Sequence, residues 1–172
     1  MDKILLVLRA VQLIFIIILT GLIGNVIANN INAATSATAA INFSMFVIAL
    51  SWVIALLGLA ASLFEAVAAL PVMALLGADA LATLFTFIDA IVLAAKLTAP
   101  NCGNTAGHAA NWIAYGSAND SHRCREIQAA TAFMWFLWAT FAGALALGVL
   151  GFRRGGGSLR SSAPTMSQVG RV

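Results

Sequence analysis

The chain has 172 residues, of which 62% are hydrophobic and 9% charged, and its mean hydropathy is +0.97. That balance excludes a soluble globular domain and, with four long apolar runs filling nearly the whole length, leaves no room for a soluble catalytic domain. The net charge of +3 does not point to nucleic acid, because the basic residues gather at the ends of the apolar runs, with no stripe of interleaved aromatics.

The first run, residues 4–27, follows Lys3 and continues through LIFIIILTGLIG. Val26 and Ala28 before Asn29 imitate a signal-peptide cleavage site, but the apolar stretch is too long, and a retained transmembrane helix is expected. Arg9 is expected to snorkel to the near interface. Thr20, Gly24 and Ala28 share one small-residue face. Residues 29–40, NNINAATSATAA, are small, polar and uncharged, and read as a connection. The second run, residues 41–64, carries Ser51, Ala55, Gly58 and Ser62 along a line that permits close helix packing. A tight connection at 65–69 makes the second and third helices antiparallel neighbours.

The third run, residues 70–97, is the one the others must cover. It is long enough to span a bilayer with some tilt, yet it holds Asp79, Asp89 and Lys96. Charges amid leucine, alanine and phenylalanine must turn inward, pair or be neutralised. Asp79 is therefore expected to face the bundle interior. Asp79 and Asp89 lie about 80° apart around a helix, with Thr83 and Thr86 on the Asp79 side, and no other helix supplies a comparable polar stripe. Pro71 suits the first helical turn, and Pro100 follows the end.

Residues 98–128 form the one sizeable polar segment and contain both cysteines, Cys102 and Cys124. On an oxidising side the two would form a disulfide within the loop, closing about 23 residues with roughly 3 kcal/mol of restraint. Zinc, with His108 and His122 as further ligands, is the rival, but neither pair has finger-like spacing. The two histidines then read as exposed loop residues, and Trp112 and Tyr115 as interfacial anchors. The fourth run, residues 129–151, has aromatics in its first half and Gly143, Gly148 and Gly151 in its second, fitting an interfacial belt and close packing. Residues 152–172, rich in Gly, Ser and Arg, are expected to be a disordered basic tail. The expected fold is all-α: a four-helix membrane bundle over 1–151, followed by this tail.

Four spans put both termini on one side, with Lys3, Arg9, Arg153, Arg154, Arg160 and Arg171, against Arg123 and Arg125 in the loop. The positive-inside rule makes the termini cytoplasmic and the cysteine loop external. Asn119-Asp120-Ser121 is then a candidate glycosylation acceptor. Arg153, Arg154 and Arg160 are placed to attract anionic lipid, and phosphorylation of Ser158, Ser161 or Ser162 would oppose that attraction, forming an electrostatic switch.

Several stretches carry a family likeness: HRCREIQAATAF at 122–133, PTMSQV at 164–169, and Pro71 to Asp79 followed by Phe85-Thr86-Phe87. Together with the tetraspan layout they resemble the fungal MARVEL-domain proteins of the non-classical export protein family. The resemblance covers essentially the whole chain. It implies a plasma-membrane protein of eisosome-associated, sphingolipid-dependent microdomains with a link to unconventional secretion. Asp89 and Lys96 lie outside the likeness. The leading functional reading is a non-enzymatic organiser that contacts anionic lipid, a sphingolipid or sterol environment, other membrane proteins or its own copies, and a cytoplasmic eisosome scaffold. The rival is a small proton or solute transporter built on Asp79 and Asp89. An enzyme is the weakest reading, because the runs contain no His/Cys/Asp cluster and no phosphate loop, and no cofactor is expected.

Overall fold

The computed structural model describes residues 2–64, 71–98, 101–105, 108–109 and 111–155, excluding the side chains of Asp2, Arg154 and Gly155. Four helices make up nearly all of it: α1 (Asp2–Ala28), α2 (Thr35–Leu63), α3 (Val72–Leu97) and α4 (Asp120–Gly155). All four are long and apolar enough to cross a membrane. The packed pairs are α1–α2, α2–α3, α3–α4 and α4–α1, so the helices stand at the corners of a square. One cavity brings together Leu5 near the start of α1, Ser62 at the end of α2, Val72 at the start of α3 and Gly148 late in α4. The helices therefore alternate in direction.

Two helices begin earlier than their polarity suggested. The segment expected to be a connection up to residue 40 is helical from Thr35, with Ala34 extended before it and the Ala37 and Thr38 amides donating to the Ala34 carbonyl. Alanine is the best helix former, and Ala37 and Ala40 are buried, so propensity and packing outweigh the scattered hydroxyls. α4 starts at Asp120 where residue 129 was expected, and it continues past 151 to Gly155. HRCREIQ is polar in composition but amphipathic in order: Arg123, Cys124 and Ile127 are buried while His122, Arg125 and Gln128 face out. Pro71 lies just outside α3 as its N-cap, and its carbonyl accepts from the Ala74 amide. The 65–69 connection lies outside the described residues.

Ile16, Leu19, Ile48, Leu93, Leu137 and Phe141 are among the large residues sealed in the core. Aromatic clusters staple neighbouring helices: Phe15 with Phe133 and Phe136 joins α1 to α4, Phe43 and Phe46 with Phe85 joins α2 to α3, and Phe87 with Trp135 and Trp138 joins α3 to α4. Ile14, Ile17, Val53, Leu56, Leu84 and Phe136 point outward, as suits a protein whose solvent is hydrocarbon.

At the end away from the termini the connecting segments fold into a cap. The Ile31 and Asn32 amides donate to the Gly116 carbonyl at 2.8 and 3.1 Å. Gly116 has φ +99°, and a Cβ there would lie 2.5 Å from the Ala33 nitrogen, so both conformation and space demand glycine. Trp112 is buried, not an interfacial anchor, and its indole N–H donates to the Leu97 carbonyl at 3.1 Å, occupying one of the open acceptors at the end of α3. Tyr115 is exposed.

Candidate functional site

The centre of the terminal half of the bundle is an ion pair across the diagonal of the square. Arg9 of α1 donates from Nη1 to Asp79 Oδ1 at 2.7 Å and from Nη2 to Asp79 Oδ2 at 2.6 Å. A further Nη1 bond of 3.1 Å reaches Gln12 Oε1 one turn on. Arg9 and Asp79 are each 5% exposed. Arg9 therefore does not snorkel to the interface; it turns inward. The planar guanidinium fork matches a carboxylate with two parallel bonds, and in hydrocarbon the alternative is two separately desolvated charges. Gly58 of α2 makes the room, since a Cβ there would collide with the guanidinium. A cavity of about 340 Å³, whose walls include Leu5, Ser62, Val72 and Gly148, lies against the pair at the terminal end.

Asp89 engages a different helix. Fully buried, it accepts a 2.7 Å hydrogen bond on Oδ1 from the Ser44 hydroxyl of α2. The two acids of α3 are thus held by different helices, Asp79 by α1 across the diagonal and Asp89 by the adjacent α2. Thr83 and Thr86 do not extend either site into a stripe, because their hydroxyls donate back to the Asp79 and Ala82 carbonyls of their own helix. The facing helices do supply individual polar partners, Arg9 and Gln12 from α1 and Ser44 from α2. Lys96 is exposed in the last turn of α3, where a cation complements the helix dipole.

Cys102 and Cys124 are bonded to each other, with Cα atoms 5.6 Å apart. They do not share one loop: Cys124 lies on α4, so the bridge ties the segment after α3 to a membrane helix. The zinc alternative loses both thiolates to this bond. His108 stacks on Trp112 with ring centroids 4.0 Å apart, and His122 lies 3.5 Å from Glu126. Arg123, read from sequence as a topology charge, is 3% exposed and donates to the carbonyls of Ile113 and Val26 and to Asn30 Oδ1. It locks the cap to the end of α1. Asn119 is exposed and is the N-cap of α4, its Oδ1 accepting from the His122 amide at 3.1 Å. Arg153 is exposed in the last turns of α4, and Arg154 is in the helix. Arg160, Ser158, Ser161 and Ser162 lie outside the described residues.

The polar partners inside the bundle that sequence reasoning missed are Arg9, Gln12 and Ser44. A signal existed for the first: Arg9 and Asp79 stand at equal depth from the helix starts at Asp2 and Val72, with opposite sign.

Residues 3–147 match the family MARVEL, described as a membrane-associating domain. The chain is 32% identical to non-classical export protein 2 of Saccharomyces cerevisiae, covering 95% of this chain and 96% of that one. It is 34% identical to non-classical export protein 102 of Candida albicans over 95% and 96% of the two chains. Non-classical export protein 2 homolog 1 of Saccharomyces cerevisiae is 30% identical over 87% of this chain and 81% of its own. No solved structure matches the chain significantly.

Proposed function

The chain belongs to the MARVEL family of membrane-associating domains and to the non-classical export protein 2 group within it, and on that premise we propose that it is a non-enzymatic organiser of the plasma membrane. It works by packing lipids and partner membrane proteins around its outer faces, in sphingolipid-linked domains of the eisosome type, with a role in unconventional secretion. Its termini face the cytoplasm and its cysteine cap faces outward, an orientation supported by the basic residues near both ends and by the disulfide in the cap.

The observation that carries this reading is the way the bundle disposes of polarity. Arg9 and Asp79 are closed on each other, while Ile14, Val53, Leu84 and Phe136 present an apolar exterior to the bilayer. An organiser needs that outer surface and a rigid interior. A transporter built on both acids needs both free to exchange cargo, yet Asp79 is closed on Arg9 by two short bonds; Asp89 accepts one bond from Ser44 of α2 and keeps only Oδ2 without a partner among the described residues. The cytoplasmic tail adds a second contact, with Arg153, Arg154 and Arg160 attracting anionic lipid and an eisosome scaffold as its protein partner.

The experiment compares wild-type protein with a variant in which Val53, Leu84 and Phe136 are replaced by alanine. The variant is expected to retain its disulfide and insert normally but to spread out of its membrane domains in living cells. Wild-type protein in sealed vesicles is expected to carry no proton or solute flux above empty vesicles. A robust flux abolished by Asp79→Asn would reverse the conclusion.

A further inference from the structure

We propose that the cavity between the end of α1 and the first turns of α4, at the cysteine end, is a binding site for a single uncharged polyhydroxylated ring. The cavity measures about 260 Å³, just under the roughly 300–1,000 Å³ typical of sites for drug-sized ligands, so it suits one ring. Unlike the cavity beside Arg9, it is walled mainly by polar side chains.

The chemistry follows from which polar atoms remain unused. Among the described residues, the Arg123 guanidinium spends Nε and Nη1 on Ile113, Val26 and Asn30, and its Nη2 has no acceptor. Arg123 is 3% exposed as a residue and lines the cavity, so its unpartnered Nη2, which keeps access to the cavity's solvent, is a donor at the cavity wall. Asn119 uses its Oδ1 to cap α4 and leaves its amide N–H₂ unengaged. Two acceptors stand with these donors. Glu126 receives Asn25 on Oε1 and leaves Oε2, and Asn29 donates to Asn25 and leaves Oδ1. Neither acceptor atom has another partner among the described residues.

Free donors and free acceptors therefore line one small space, and with His122 neutral the formal charges of the lining groups, Arg123 against Glu126, cancel. A phosphate would gain from Arg123 and Asn119 but face the Glu126 carboxylate. An ammonium ion would meet the reverse problem. A hydroxyl both donates and accepts, and neighbouring hydroxyls on a ring present that pair at the spacing of an amide or carboxylate. The ring can come from a glycosylated lipid, since the cavity is built on the ends of two membrane helices, or from a free sugar or polyol. The site is independent of the proposed organising role.

The test uses the full chain in phosphatidylcholine nanodiscs, titrated with methyl glucoside, myo-inositol, inorganic phosphate and ethylamine by ligand-observed NMR. A parallel sample contains monoglucosyl diacylglycerol and is read by native mass spectrometry for retained lipid. Glu126→Gln keeps the bond from Asn25 but removes the carboxylate, and Asn29→Ala removes the second acceptor. Each is checked for its Cys102–Cys124 linkage by mass analysis without reduction. A neutral polyol is expected to bind in the millimolar range and to weaken about tenfold in each variant, the scale of one lost hydrogen bond. Binding of the free polyols assigns a soluble source, and retention of the glycolipid alone assigns a lipid source. Stronger binding of phosphate or ethylamine than of either polyol, silence in every arm, or affinities unchanged in both variants would overturn the assignment.

Discussion

Arg9 ties three helices together, because its partner lies on the opposite helix and its seat on a third. Removing either charge strands the other in a desolvated site, which costs about 3–5 kcal/mol, whereas replacing both with apolar groups removes the penalty along with the attraction. Arg9→Met and Asp79→Leu are therefore each expected to destabilise the bundle by that amount. The double variant should recover most of it in a reversible unfolding assay in bicelles. A double variant no better than the worse single would show that the pair acts through something other than its charges. Gly58 belongs to the same unit. Gly58→Ala pushes a methyl into the space of the guanidinium and is expected to cost about 1–3 kcal/mol, as overpacking does. In the Arg9→Met background the same change should be close to neutral, and the cycle formed by the four proteins measures the coupling directly.

At the level of elements, the early start of α4 changes what the disulfide does. With Cys124 on a helix, the bond anchors the segment after α3 to a rigid rod, and with Arg123 beside it the cap is tied to α1 as well. Cys102→Ala is expected to lower stability by about 3 kcal/mol in the chain-entropy account and to make residues 111–119 more susceptible to protease. Asn119→Ala removes the side-chain bond to the His122 amide and should cost about 1 kcal/mol, with fraying confined to the first turn of α4 by hydrogen exchange. That loss should appear in protein made without any glycosylation machinery, which separates the capping role of Asn119 from its role as a candidate acceptor. The helix start was hidden because HRCREIQ is as polar as a loop by composition. Its three-and-four spacing of Arg123, Cys124 and Ile127 becomes a buried face only once α1 and the cap are there to receive it.

At the scale of the whole molecule, the proposed reading has the protein meet its surroundings through its outward apolar faces and its terminal basic residues. Arginines near an anionic leaflet contribute about 1 kcal/mol each, within a screening length of roughly 8 Å at physiological salt. Replacing Ser158, Ser161 and Ser162 with Asp is expected to release the tail from vesicles containing phosphatidylserine while leaving phosphatidylcholine vesicles unaffected, as read by fluorescence of a probe at residue 170. Equal tail mobility in wild type and variant on the anionic vesicles would make the tail a topology signal and nothing more.

Composition alone determined that this is a helical membrane protein with four spans, because crossing hydrocarbon requires long apolar runs whose backbone bonds close within each helix. The inward turn of Asp79 was legible for the same reason, since a carboxylate has nowhere else to go. The presence of both cysteines, the only two in the sequence, in one polar segment was enough to suggest their pairing. What only the tertiary structure decided is who satisfies whom: Arg9 crossing the square to Asp79, Gly58 clearing its path, Ser44 serving Asp89 and Arg123 closing the cap. Along the chain a charge seven residues inside an apolar helix is compatible with snorkelling outward or pairing inward. The choice depends on whether an opposite charge stands at the same depth on a helix within reach, and packing creates that proximity between residues far apart in sequence.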